Sequence, residues 1–302
     1  MTLKTLSPAS PKYSESDLPN GTREKAAIAK TVMVESASTS PAPAKLASAI
    51  EFEDDTEAIR YDPEAITEYY RERPFQVWTR FLAIISPFLS FALSLWSDRF
   101  WGRIAQNQQR RAIQLRNILT KLGPAYIKIG QALSTRPDLV PPTYLEELTH
   151  LQDQLPPFPN EVAYQFIEEE LGARPAEIYA ELSPDPLAAA SLGQVYKGKL
   201  KTGEIVAVKV QRPDLIQKIA LDLYIGRQLA AWAKKTFKLV RSDLVAILDE
   251  FGSRIFEEMD YIQEGRNAER FEKLYGNIPD IYIPKIYWEY TQRRVLTMEW
   301  VT

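Results

Sequence analysis

The sequence predicts an α+β chain in which a helical first half leads into a small antiparallel sheet with helices beside it. Three observations carry that expectation. Apolar residues recur at helical spacing from Ile104 through Ile113, Leu115, Ile118 and Leu119 to Leu122. Two strand-like runs, 194–200 and 204–210, flank Lys201-Thr-Gly203, which is a hairpin signal. Two more runs, 281–287 and 294–300, read as strands near the end of the chain.

Composition narrows the function classes. The 302 residues suggest about two domains, and 45% hydrophobic with 25% charged residues is ordinary globular composition. The net charge of -3 disfavours nucleic-acid binding by bulk charge. There is no Cys, which excludes disulfides, thiol nucleophiles and Cys-ligated metal, and a single His, His150, excludes His-rich metal sites. The chemistry left belongs to Lys, carboxylates, amides, hydroxyls and backbone.

Residues 1–55 are rich in Ser, Thr, Ala and Pro, and too few large apolar residues are present to offset chain entropy, so a disordered tail is expected. The Ser/Thr/Ala content suits a plastid transit peptide, but Glu15, Asp17, Glu24 and Glu35 weigh against one. A second region, 56–159, reads as a helical extension. It contains a run of 16 uncharged residues, 81–96, interrupted by Pro87, which would kink a helix. A bilayer span needs about 20 residues. Trp78, Trp96, Phe100 and Trp101 flank the run, with Arg71, Arg73 and Arg80 before it and Arg99 and Arg103 after it. From Arg99 to Arg136 there are eight Lys/Arg and no Asp/Glu. That pattern suits an interfacial helix on an anionic lipid surface, and equally a buried hydrophobic helix with a solvated basic continuation.

Helix 104–121 is interrupted at Gly123-Pro124, and the stretch that follows carries Lys128, Gly130 and Gln131. A glycine inside a helical pattern costs about 1 kcal/mol relative to Ala, so Gly130 calls for a reason such as close packing. A helix over 143–154 follows, with His150 late in it as a structural or surface residue, and Pro156-Pro-Phe-Pro159 closes the region. The third region, 160–302, opens on a helix with Asn160 as N-cap and Gly172 at its end.

The chemistry-bearing motifs lie in this third region. Gly193 to Gly198-Lys199 has Walker A spacing, but Leu200 stands where Ser or Thr must meet magnesium, and the segment reads as a strand. A glycine-loop register fits better. Gly-x-Gly-x-x-Gly-x-Val falls on Ala188, Ala190, Gly193 and Val195, and a Val-Ala-Val-Lys strand delivers Lys209 sixteen residues after Gly193. In that arrangement Ala188, Ala189, Ala190 and Ser191 cover a nucleotide and the Lys209 ammonium meets its phosphates. Alanine in place of two glycines predicts a stiffer loop. Helices over 214–238 and 243–275 follow. In the second, Asp260 and Glu264 share a face, and Glu264 is the candidate to orient Lys209, although acids on a long helix more often only solvate it. Strand 294–300 would lead into an adenine-binding hinge, with Met298 guarding the back pocket and Glu299, Trp300 and Val301 presenting backbone groups. It reads as a buried strand that stops without a cap, as though the chain were cut within a domain.

Together these motifs resemble the ABC1/ADCK/UbiB (AarF-type) family of atypical kinases. The residues that carry the resemblance are Lys128-x-Gly130-Gln131, Ser134-Thr-Arg-Pro-Asp-Leu, the 151–159 run, Ala188-Ala-Ala-Ser191, Val208-Lys-Val-Gln-Arg-Pro213, and Glu258-x-Asp260 followed by Glu264. They span about residues 60–302, with a cyanobacterial or plastid flavour. The resemblance implies a protein-kinase-like N-lobe ending at the hinge, with its C-lobe absent from the chain. It implies that Lys128 and Gln131 sit over the active site, anchored with help from Glu258 and Asp260. It implies ATP with Mg2+, whose ligands lie in the C-lobe and not among these residues, and a role as ATPase or phosphotransferase in isoprenoid-quinone or membrane-lipid metabolism. It further implies peripheral attachment to a cytoplasmic-side or plastid membrane, with anionic lipid or isoprenoid-quinone precursors as partners and no nucleic acid. Without metal carboxylates the chain alone is expected to turn over little. A non-catalytic lipid-binding scaffold, or a fragment without function of its own, is the alternative.

Overall fold

The computed structural model describes residues 59–152, 155–236 and 243–301, and the tail expected over 1–55 lies outside them. Five helices come first: α1 (Pro63–Arg71), α2 (Pro74–Phe100), α3 (Ile104–Leu122), α4 (Pro124–Ser134) and α5 (Pro142–Thr149). Asp62 caps α1 by accepting from the Glu64 and Ala65 amides, with Pro63 preorganised in the first turn. The 27-residue α2 continues through Pro87. The carbonyl that loses its donor there belongs to Ala83, on the exposed side of the helix. Gly123, at φ 104°, makes the corner between α3 and α4.

Gly130 has the packing reason its position asked for. A Cβ there would run into the Leu151 side chain and stand 2.9 Å from Leu119 Cδ1, so α3, α4 and the segment after α5 close over a bare backbone. Helix α5 is shorter than the 143–154 expected, ending at Thr149, with His150 as its C-cap.

The second half contains α6 (Asn160–Leu171), α7 (Pro175–Ile178), β1 (Tyr179–Leu182), β2 (Ala188–Ala189), β3 (Gly193–Leu200), β4 (Ile205–Gln211), α8 (Leu215–Thr236), α9 (Leu244–Glu257), α10 (Tyr261–Tyr275) and β5 (Val295–Glu299). The sheet runs β1-β3-β4-β5, with β2 also on β3, and every pairing is antiparallel. One face packs on α6 through Tyr196, Val206, Val208, Val210 and Val295 against Ala163 and Ile167. A separate core joins α1, α8 and α9 through Ile66, Tyr70, Ile219, Leu223, Ile255 and Phe256. Helix α2 is clamped to α8 by Arg80, whose guanidinium reaches both oxygens of Asp222 at 2.7 and 2.8 Å and the Leu122 carbonyl at 2.6 Å.

Three expectations about elements need correction. Asn160 is not the N-cap of α6; Pro159 holds that position. The Asn160 side chain instead donates to the Pro184 carbonyl and accepts from the Tyr196 hydroxyl. Gly172 does end the helix, in the left-handed conformation at φ 70°. The helix expected over 243–275 is two, because Asp260 accepts from the Gln263 amide and starts α10 afresh. Segment 281–287 is not a strand: Pro284 lacks an N–H, and only Ile286 bridges to Met298.

Candidate functional site

The antiparallel register puts Lys209 of β4 between Val195 of β3 and Leu296 of β5. Directly paired residues share a sheet face, so Lys209 lies on the face opposite α6. Helix α10 covers that face. Its Glu264 accepts from Lys209 Nζ with both oxygens, at 2.8 and 2.7 Å. The ammonium also stands 4.6 Å from the centre of the Tyr261 ring. The lysine is thus held by a carboxylate and an aromatic face, at a site where its side chain keeps 22% of its exposure.

The Ala-rich segment forms a short hairpin with β3. Ala188 pairs with Val195, Ala189 with Gln194, and the Ala190 amide donates to the Gly193 carbonyl at 2.8 Å. Among the described residues no position from 188 to 193 has positive φ, so alanine fits the loop without backbone strain. Gly193 is required for a different reason. A Cβ there would meet Tyr261 Oη at 2.5 Å and the Val210 carbonyl oxygen at 2.6 Å. Leu192 is buried in the helical core, which pins the loop tip.

Two residues that sequence reasoning missed hold this loop and the strand that follows it. Arg212 donates from Nε to the Ala190 carbonyl and from Nη2 to the Pro156 carbonyl, both at 2.9 Å. It makes no ion pair with a carboxylate among the described residues, and burial pulls its guanidinium below its ordinary value. Gln194 is fully buried; it accepts from the Phe158 amide and donates to the Tyr196 hydroxyl. The other missed residue is Tyr261. Its hydroxyl is buried and has no hydrogen-bond partner among the described residues. Burial, reinforced by Glu264, pushes its pKa well above the usual phenol value. No spacing rule marks these residues; only Arg212, beside Lys209 within the 208–213 motif, lay within a quoted signature.

The residues of the extension reach the same neighbourhood in part. Lys128 pairs with Glu258, at the end of α9. Asp260 accepts from the Ile59 amide at 3.3 Å and caps α10. Gln131 donates to the Leu151 carbonyl at 2.8 Å, so its amide holds the segment after α5 rather than meeting Lys209 or Glu264. At the other end of the sheet, Met298 pairs with Ala207. The Glu299 and Trp300 amides are occupied by the Lys285 and Ile205 carbonyls, at 2.8 and 3.1 Å. Of the three hinge residues, only Val301 keeps its amide out of the hydrogen bonds of the described residues. The Tyr282 hydroxyl and the Lys285 amide hold the Glu299 carboxyl below its ordinary range.

A five-stranded antiparallel sheet, a strand lysine bound by a helical glutamate, and a hairpin loop beside that lysine define the smaller lobe of a kinase-like fold. The chain belongs to the ABC1 atypical kinase-like family, whose domain matches residues 150–302. It is 64% identical over 245 residues to the protein sll0005 of Synechocystis sp., and 47% identical over 246 residues to ACTIVITY OF BC1 COMPLEX KINASE 3, chloroplastic, of Arabidopsis thaliana. Each alignment covers 81% of this chain, and it spans 36% and 35% of those two relatives. A solved structure, the complex of Rv3197 with erythromycin from Mycobacterium tuberculosis, is 29% identical with a TM-score of 0.44, covering 66% of this chain and 50% of that one.

Proposed function

We propose that this chain supplies the nucleotide-binding lobe of an ATP-dependent phosphotransferase or ATPase that works at a membrane surface, in isoprenoid-quinone or membrane-lipid metabolism. The observation that carries the reading is the contact of Lys209 Nζ with both Glu264 oxygens beside the 188–193 hairpin. The residues fit an ATP molecule. Lys209 offers the charge for the phosphates and Glu264 fixes its direction. The hairpin offers a stiff cover, and the Val301 amide stays available for the adenine edge. ATP brings the phosphoryl group and its Mg2+ when bound; Lys209 holds the phosphate charge while Glu264 keeps the ammonium from swinging away. Lys128 with Glu258 adds one ion pair to the buried packing that holds the extension on this lobe.

The membrane half rests on α2, which keeps Phe75, Trp78, Leu82, Leu89, Leu93, Trp96 and Phe100 exposed. By length and composition it could cross a membrane, and only 11% of its most apolar window is buried. Peripheral docking on a plastid or cytoplasmic-side membrane follows from that face and from the arginines around it. Titration of a fluorescent ATP analogue tests the nucleotide reading. Wild type should bind saturably, and Lys209→Ala should weaken binding about tenfold or more; equal affinity in the variant overturns it. A lipid-binding scaffold without nucleotide function is the second reading, favoured by the same α2 face. Flotation on anionic vesicles that proceeds with no nucleotide binding at all would select it.

A further inference from the structure

The first turn of α10 carries two groups that face Lys209, and only one of them is a carboxylate. Tyr261 and Glu264 are three residues apart, so they stand on one side of the helix. Glu264 takes the Lys209 ammonium on both oxygens, and the Tyr261 ring takes it on its face, 4.6 Å from Nζ to the ring centre. A cation over an aromatic face is attracted by the ring's charge distribution, more strongly where water is excluded. On the ring's side it is excluded: Tyr261 is fully buried, in one cluster with Ile286 and Leu296.

The ring has no freedom to follow the ammonium. The Tyr261 amide donates to the Arg293 carbonyl at 3.2 Å, and Asp260 caps the same turn through the Gln263 amide. Leu296, which packs with the ring, is the strand partner of Lys209. The hydroxyl is closed in beneath the start of β3, so near Gly193 that a Cβ there would stand 2.5 Å from it. Backbone, ring and hydroxyl are thus each fixed by a different contact. The Glu264 side chain, by contrast, is 39% exposed, so water competes for its oxygens and its flexible stem can move with the lysine. Of the two groups on Lys209, the ring is the rigid one.

We infer that Tyr261 is a positioning residue of the nucleotide site: its ring fixes the direction in which Lys209 meets the phosphates, while Glu264 supplies the opposite charge. The inference deepens the nucleotide-binding reading and rests on it. Lys209 holds only the phosphate end of the ligand. An effect that travels through Lys209 therefore vanishes when the phosphates are removed, and again when Lys209 is removed. A ring that only filled the core would affect both ends of the nucleotide alike.

The test titrates a fluorescent ATP analogue, and separately the same adenosine analogue without phosphates, into the 302-residue protein. Tyr261→Leu removes the ring and keeps an apolar side chain, and the conservative Tyr261→Phe keeps the ring. Tyr261→Leu should bind the triphosphate about fivefold more weakly, and Tyr261→Phe should recover affinity to within about twofold of wild type. The nucleoside should bind all three proteins alike. In a Lys209→Ala background, Tyr261→Leu should weaken neither probe further. Wild-type triphosphate affinity in Tyr261→Leu overturns the inference, as does an equal loss of nucleoside affinity or a further loss in the Lys209→Ala background. Wild type that binds neither probe fails the nucleotide reading itself, and this inference with it, whereas a failure confined to the Tyr261 variants leaves that reading standing. A second readout needs no Tyr261 variant. In reductively methylated protein the Lys209 methyl resonance, identified by its loss in Lys209→Ala, should lie upfield of the other lysine methyls because the ring current shields it. A resonance among those of the exposed lysines overturns the ring's hold on the ammonium.

Discussion

Gly193 and Tyr261 form a contact whose energetics can be worked from the structure. A methyl group at Gly193 would lie 2.5 Å from Tyr261 Oη and 2.6 Å from the Val210 carbonyl oxygen. Alanine in a strand gains about 0.5–1 kcal/mol over glycine from backbone entropy. Overpacking costs about 1–3 kcal/mol, toward the upper end here because the carbonyl belongs to a paired strand. Gly193→Ala should therefore destabilise by about 2 kcal/mol, or a midpoint drop of about 4–8 °C at about 2–4 °C per kcal/mol. Tyr261→Phe should do the reverse. It removes a buried hydroxyl without a partner, whose burial costs about 1–3 kcal/mol, and loses the few dispersion contacts of one oxygen. The expected gain is about 1 kcal/mol, or about 2–4 °C. In the double variant the hydroxyl clash is gone and the carbonyl clash stays. The cost of Gly193→Ala should fall by about 1 kcal/mol, a coupling read from a double-mutant cycle. Thermal unfolding followed by circular dichroism on the four proteins measures all of this. A destabilised Tyr261→Phe would show that the hydroxyl is hydrogen-bonded in solution. Strict additivity would show that Tyr261 does not limit the space above Gly193.

Arg80→Ala leaves Asp222, with a side chain only 3% exposed, without its bidentate partner; the expected loss is about 3–5 kcal/mol, read from chemical denaturation, and a loss under about 1 kcal/mol would contradict the clamp. Arg212→Ala removes the donor from the part-buried Ala190 carbonyl, while the exposed Pro156 carbonyl turns to water, and should cost about 1 kcal/mol while weakening the fluorescent nucleotide; Arg212→Lys should recover part of both, since an ammonium reaches one carbonyl more readily than two. Lys128→Ala should cost under about 1 kcal/mol in stability, because its Glu258 partner is half exposed and such pairs contribute little. The Asp98 carboxyl is held below its ordinary range, first by its Arg111 hydrogen bond and also by Asn107. Its contribution is present above the unfolded-state value near pH 4 and is lost as pH falls through the lower folded value. Wild type should lose stability below about pH 4 more steeply than Asp98→Asn, and parallel acid-unfolding profiles would remove Asp98 from that account.

The elements that announced themselves were those with an uninterrupted period or a strong stop. The β3–β4 hairpin followed from alternation around Thr202-Gly203, and α3 from its apolar spacing up to Gly123-Pro124. The α9–α10 break was hidden because no glycine or proline marks it. Its signal was Asp260 with Gln263 three residues on, the spacing of a capping box, set inside a continuous helical pattern. Segment 281–287 looked like a strand because it alternates, yet Pro284 denies the ladder a donor. Lys209 and Glu264 were legible as candidates because spacing brings a strand lysine and a helical acid into a known relation. Arg212, Gln194 and Tyr261 were not, because each meets a residue across the fold, Ala190, Phe158 and Gly193 respectively, 22 to 68 residues away, and the Tyr261 hydroxyl has no hydrogen-bond partner among the described residues. A period cannot report a contact made across the fold.

The contacts that hold the loop and the extension differ in strength, and the difference ranks which would yield first. Loop 188–193 is fastened by the Arg212 guanidinium on the Ala190 carbonyl and by a leucine in the helical core, and the start of β3 beside it by a buried glutamine on Phe158. Each of these costs about 1–3 kcal/mol to break, because each break leaves a buried polar group unpaired or an apolar side chain in water. One link from α4 to the end of α9 is the half-exposed pair of Lys128 and Glu258, which contributes about 0–1 kcal/mol and weakens with salt. Salt would open that pair and leave the extension in place, because Ile66, Tyr70 and Ala125 are buried against Ile219, Leu223, Ile255 and Phe256 and Arg80 is clamped on Asp222. The loop and the extension are therefore both set by buried packing, and the Lys128–Glu258 pair is the contact that ionic strength can remove at small energetic cost.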